Sequence, residues 1–171
     1  MDDLFSKMQG EQNILEKLAS KIPGFGGYLK EEQRRTADKI LRDTLANRYE
    51  EQWQRVSGIQ RRMVEEAMID HVDNMESAAV KLRTFIDGMK TTAYGYGSLF
   101  DAVKVNDAEL QKLYAYDYTL LEGVSKVAQA VDHVESSLGT DGLPAAIRNL
   151  TTVTAECVTM FDRRKEVLTS K

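Results

Sequence analysis

The chain has one cysteine, two prolines and two histidines among 171 residues, and no excess of basic charge. A single cysteine, Cys157, excludes an intrachain disulfide and fits a reducing compartment, so a cytoplasmic location is expected. The longest unbroken apolar run, Leu113 to Tyr116, falls far short of the roughly 20 residues that span a bilayer. The opening residues Met1, Asp2 and Asp3 offer neither a basic start nor an apolar core, so no signal peptide is expected. A formal net charge of -4 gives no general attraction to nucleic acid or anionic lipid. What remains is 42% hydrophobic and 29% charged, which excludes disorder and low complexity.

Helix formers fill most of the chain, and the prolines and most glycines fall where apolar spacing breaks. An amphipathic accessory helix is expected within residues 1–22. Pro23, Gly24, Phe25, Gly26, Gly27 and Tyr28 cannot continue it, because proline lacks the amide donor and glycine is costly to order in a helix. Residues 23–29 therefore read as a turn, and 30–168 as the bundle. Within it, residues 30–68 carry Leu41, Leu45, Tyr49, Trp53, Val56, Ile59 and Met63 at steps of three or four. This predicts one helix of about 58 Å, continuous through Gly58. A third helix follows from Val72 to about Thr92. A fourth opens at Asn106, whose side chain and Glu109 suit a helix start. A fifth runs from the Gly139–Gly142 turn, with Pro144 in its first turn. The expected fold is all-α: an antiparallel up-and-down helical bundle of four main helices plus the N-terminal accessory helix.

Little in the sequence supports catalysis. A carboxylate-bridged metal pair needs a glutamate three residues before a histidine; Met68 precedes His71 and Ala130 precedes His133 at that spacing. No metal and no cofactor are expected. Cys157 has no histidine or arginine beside it on its helical turn and reads as a small buried hydrophobe. The glycine turn lacks the lysine and spacing of a phosphate loop. The basic pairs Arg34–Arg35, Arg61–Arg62 and Arg163–Arg164, with Lys165, have acidic neighbours and read as solvated helix faces, not a nucleic-acid surface. The first helix has too little basic charge for strong membrane-surface binding.

One residue breaks the pattern. Asp117 occupies a seam position between Leu113 and Leu120, and a buried carboxylate needs a tyrosine, an arginine or free amides to reach it. Tyr114, Tyr118, Tyr94 and Tyr96 are the nearby aromatics expected to form a polar and aromatic cluster with it. The structural reading is a residue that fixes register; the functional one is a pocket for a small cationic or peptide group.

The order of a GFGGY turn, a helix opening KEEQRRTADKILRDTLA, a later AYGYGSLFD and then LYAYDYTLLEGV resembles a set of small uncharacterised bacterial all-helical proteins with no known activity. The resemblance spans Ile22 to about Leu168. It implies that the aromatic-glycine turn and the acidic residue after it belong to one shared design, and it implies no catalytic residue.

The expected role is therefore a non-enzymatic scaffold or adaptor acting through helix–helix contacts, with a protein partner or a homo-oligomer. The stripe Leu41, Leu45, Tyr49 and Trp53 is the candidate interface, because a third helix shorter than the second cannot cover it, so that it needs the first helix or a second chain. The alternatives are a small-molecule sensor or enzyme with its pocket at Asp117, and a peripheral membrane-associated stress protein.

Overall fold

The computed structural model describes residues 14–91 and 107–169. Residues 14–21 are helical and form the described part of α1. A 3-10 turn at Glu31–Gln33 leads into α2 (Arg34–Glu65), followed by α3 (Ile69–Thr91), α4 (Asp107–Ser137) and α5 (Leu143–Thr169). No strand occurs among the described residues. The chain is an all-α helical bundle, as its spacing predicts.

α2 runs 32 residues without a break at Gly58, about 48 Å. It is shorter than the expected 30–68 at both ends, and its C-terminal stop is a backbone device. Ala67 adopts a left-handed φ of 61°. The Met68 amide donates to the Met63 carbonyl at 2.7 Å and the Ala67 amide to the Val64 carbonyl at 3.2 Å, the paired bonds that close a helix C-terminus. Met68 then packs on the core.

Four helices build the bundle. α2 packs on α3 and α4, and α5 packs on α3 and α4, so α3 and α4 stand at diagonal corners. The Tyr49 hydroxyl of α2 donates to the Leu120 carbonyl at 2.6 Å, and Arg55 reaches Glu135 at 3.3 Å, so α2 and α4 run parallel. Phe85 of α3 meets Phe161 of α5 edge-on at 5.5 Å, while Asp73 and Ser77 sit beside Ile147 and Thr151, so this pair is parallel too. Direction alternates along the chain as expected, but sequence neighbours α3 and α4 are not spatial neighbours. One end, the apex, carries the two short turns. The other, the base, receives the start of α2 and the end of α5.

The core follows the seam. Positions 38, 42, 45, 49, 52, 56, 59 and 63 of α2 step alternately by four and three, and all are buried. α1 completes the wall: Leu18 and Ile22 have no exposed surface and join Leu41 and Leu45 in the same cluster. The expected interface stripe is largely covered from within the chain. Leu41, Leu45 and Tyr49 are buried within the chain itself, because α4, 31 residues long, lies alongside α2 and α1 covers the remainder. Trp53 is half-buried, with the Arg83 guanidinium 4.0 Å over its ring. Arg83 is in turn held by two bonds to Glu50 of 2.7 and 3.0 Å, and that contact holds the Glu50 carboxyl below its ordinary range.

Candidate functional site

The base of the bundle contains a buried cluster of charge. Asp38 and Arg42 occupy seam positions of α2, Asp117 one of α4, and Arg164 lies three residues beyond Phe161 on the inner face of α5; each is at most 3% exposed. Among the described residues, two carboxylates and two guanidiniums stand at one level and balance in charge, which is the condition for tolerating charge in a dry interior.

Arg164 is the centre. Its Nε donates to Asp117 Oδ1 at 2.6 Å, and its Nη2 donates to Asp38 Oδ1 at 2.5 Å and to the Tyr28 hydroxyl oxygen at 3.1 Å. The Tyr28 hydroxyl donates to the other Asp117 oxygen, Oδ2, at 2.5 Å. The second Asp38 oxygen accepts from Arg42 Nε at 2.8 Å, and Arg42 Nη1 donates to the Met89 carbonyl at the end of α3 at 2.6 Å. One connected network thus ties the N-terminal turn to α2, α3, α4 and α5.

Tyr28 enters this network because the turn before it can come close. The Tyr28 amide donates to the Tyr114 hydroxyl at 2.7 Å, and the two rings stack at 5.2 Å. Gly27 makes this possible: its φ of 88° lies in the left-handed region, and a Cβ there would sit 2.7 Å from the Tyr114 hydroxyl and 3.0 Å from Leu15. Arg34 closes the turn by donating to the Tyr28 carbonyl at 2.8 Å.

Burial sets the proton affinities. It pushes the Tyr28 hydroxyl well above its ordinary 10.0, an effect the Asp117 charge reinforces. Burial also raises the Asp117 carboxyl, against the pull of Arg164 and the Tyr28 hydrogen bond. Tyr114 is raised by burial as well. A phenol held protonated beside a carboxylate is a donor fixed in place, and both Asp117 oxygens are occupied. The arrangement can lock helices together; it leaves Asp117 no face on solvent.

Two of the expected cluster members join this network, Asp117 and Tyr114. Tyr118 does not: it is half-buried, with the Lys17 ammonium 5.5 Å over its ring. Tyr94, Tyr96 and the amides of Gly95–Ser98 lie outside the described residues. The partners found for Asp117, a tyrosine hydroxyl and an arginine, are of the expected types, but neither is an expected residue. Arg164 corrects the sequence reading outright. Its neighbours Arg163 and Lys165 are exposed or half-exposed, as a solvated face requires, whereas Arg164 itself has no exposed surface. The signal for it was present: Leu150, Thr154, Cys157, Phe161 and Arg164 continue a seam of fours and threes.

A second polar contact lies higher in the core. Gly123 of α4 leaves room for the Tyr49 phenol, which a Cβ there would strike. The Tyr49 oxygen is 3.5 Å from Cys157 Sγ. Burial raises the thiol, which argues against a nucleophile. Next to it, a depression of about 280 Å³ between α4 and α5 is lined by Thr119, Gly123, Lys126, Val153 and Cys157, among others. Two further depressions, of about 530 and 480 Å³, follow α5. None of the three contains a member of the charge network. Among the described residues, no group of three His, Cys, Asp or Glu side chains is placed to hold a metal ion. None of the described helices is long and apolar enough to cross a membrane.

Compared with protein-family models, curated proteins and solved structures, the chain matches none.

Proposed function

We propose that this protein is a non-enzymatic scaffold or adaptor, placed in the cytoplasm, that works by offering helix faces to other proteins. The observation that carries this reading is the saturation of Asp117. The residue best suited to chemistry is sealed between Tyr28 and Arg164, so its reactivity is consumed in holding the fold. The same saturation counts against the small-molecule reading, which needs an Asp117 facing a cavity. The basic pairs give no support to a nucleic-acid surface: Arg164 is buried, Arg34 holds the Tyr28 carbonyl and Arg62 pairs with Glu66. The membrane-surface reading draws no support from the described helices.

Light scattering of the purified chain over a wide concentration range, with affinity capture by the intact chain, tests the proposal. Self-association or a stoichiometric protein complex is expected. A monomer at every concentration with no stoichiometric partner overturns it. So does a saturable rise in melting temperature with a small metabolite that Asp117→Asn abolishes.

A further inference from the structure

The outward face of α5 carries small polar residues and charges in a pattern that complements itself. Arg148, Thr152, Glu156 and Thr159 are exposed and lie within one third of the helix circumference, with Ala155 partly exposed beside them. The groove that α5 forms with Asp73, Asn74 and Ser77 of α3 and the shallow depression along α5 itself both include Thr151 and Thr152. None of the ion pairs among the described residues uses Arg148, Glu156, Arg163 or Asp141.

We infer that α5 is the interface for a second copy of this chain, laid antiparallel across a two-fold axis at Thr152. This specifies the partner and surface of the scaffold reading and rests on it. The argument is charge register. In an antiparallel pair centred on Thr152, positions equally distant from it face each other. Arg148 then meets Glu156 of the partner subunit, and the symmetry makes this contact twice. At the axis Thr152 meets its own copy, and farther out, beyond the Arg148 and Glu156 pair, Ala145 faces the partner's Thr159. Small side chains at the axis and opposite charges flanking it are what close packing and a fixed register require. A parallel pair would set each charge against its own sign.

Charge reversal tests this without touching the core. Wild-type chain is expected to sediment as a dimer that weakens as salt rises. Arg148→Glu and Glu156→Arg each place like charges together, and each is expected to weaken the dimer by about tenfold or more. Mixing the two variants restores both contacts, so the equimolar mixture is expected to form a heterodimer as stable as wild type. Circular dichroism of each variant checks that it is folded. Dimerisation of either single variant at wild-type strength overturns the inference, as does a mixture that stays monomeric. These results would leave the scaffold reading intact wherever the chain still assembles or retains a stoichiometric partner. A wild-type chain that is monomeric and partnerless overturns both.

Discussion

The base and the apex of this bundle are built from the same helices and the same heptad spacing, yet they fill the seam differently. At the apex, Ile59, Met63, Met75, Val131, Val134, Ala146 and Ile147 are buried against one another. At the base, equivalent seam positions hold Asp38, Arg42, Asp117 and Arg164. An apolar seam stabilises in proportion to buried area and is nearly indifferent to which oily residue meets which. A charged seam contributes little net energy and is intolerant of mismatch, since a slip of one heptad leaves ions buried and unpaired. The apex thus supplies adhesion and the base supplies register. The base is where register matters, because Tyr28 and the diagonal corners α3 and α4 must all be brought to one place there.

The sharpest way to break this contrast is to delete a charge at the base and a methyl at the apex. Arg164→Met keeps much of the volume but strands the Asp117 carboxylate and leaves Asp38 only Arg42, and is expected to cost about 3–5 kcal/mol in chemical denaturation. Ile59→Val is expected to cost only about 0.5–1.5 kcal/mol. Adding Asp117→Asn to Arg164→Met removes the stranded charge and should recover part of the loss. Equal costs for the two single variants would mean that the base is packed like the apex.

Tyr28→Phe comes next in size. It removes the hydroxyl that donates to Asp117 and accepts from Arg164, while leaving the ring stacked on Tyr114. Hydrogen bonds to charged groups are worth about 1.5–3 kcal/mol, and a loss in that range is expected from denaturant midpoints. A loss of less than a few tenths would detach the N-terminal turn from the network.

How far this could be read in advance differs between the two ends for the same reason. The helices were legible because oily residues at steps of three and four survive any uncertainty about partners. Asp117 was legible because it interrupts Leu113 and Leu120. Its partners were not. Asp38 and Arg42, four apart on a helix, look like an ordinary surface ion pair. Arg164 sits between Arg163 and Lys165, so composition disguises a seam residue as part of a solvated run. Tyr28 lies in a glycine turn, whose path follows from φ angles and close approaches, not from periodicity. The stripe at Leu41, Leu45 and Tyr49 needs a cover that helix lengths reveal, but that α1 and α4 supply it from within the chain follows from which helices are neighbours, and spacing does not encode that.

Alkaline titration sharpens the contrast from the side of pH. Burial holds the hydroxyls of Tyr28 and Tyr49 well above their ordinary 10.0. A folded-state value above the unfolded one gives stability that is complete below about pH 10 and lost as pH rises through the folded value. Above pH 10 each such tyrosine should remove up to about 1.4 kcal/mol per pH unit. Phenolate absorbance from these two residues should therefore appear together with loss of helix. Tyr28→Phe should make the alkaline decline shallower, leaving the parts due to Tyr49 and Tyr114. An unchanged slope would mean that Tyr28 ionises in the folded chain.

The smallest expected effect lies at the apex and has the opposite sign. Ala67 holds a left-handed φ of 61°, whereas the turn after α4 places Gly139 at 76°. A left-handed conformation costs a residue with a Cβ roughly 1–2 kcal/mol, which glycine avoids at the expense of greater unfolded-state freedom. Ala67→Gly keeps both bonds that close α2 and is expected to stabilise the chain by about 0.5–1 kcal/mol, read as a higher denaturant midpoint with unchanged slope. The equivalent gain is not open to the base, where Gly27 already occupies the left-handed position and its missing Cβ is the space that the Tyr114 hydroxyl fills. A destabilised Ala67→Gly would mean that the apex, like the base, has its backbone fixed by side-chain contacts instead of by turn geometry.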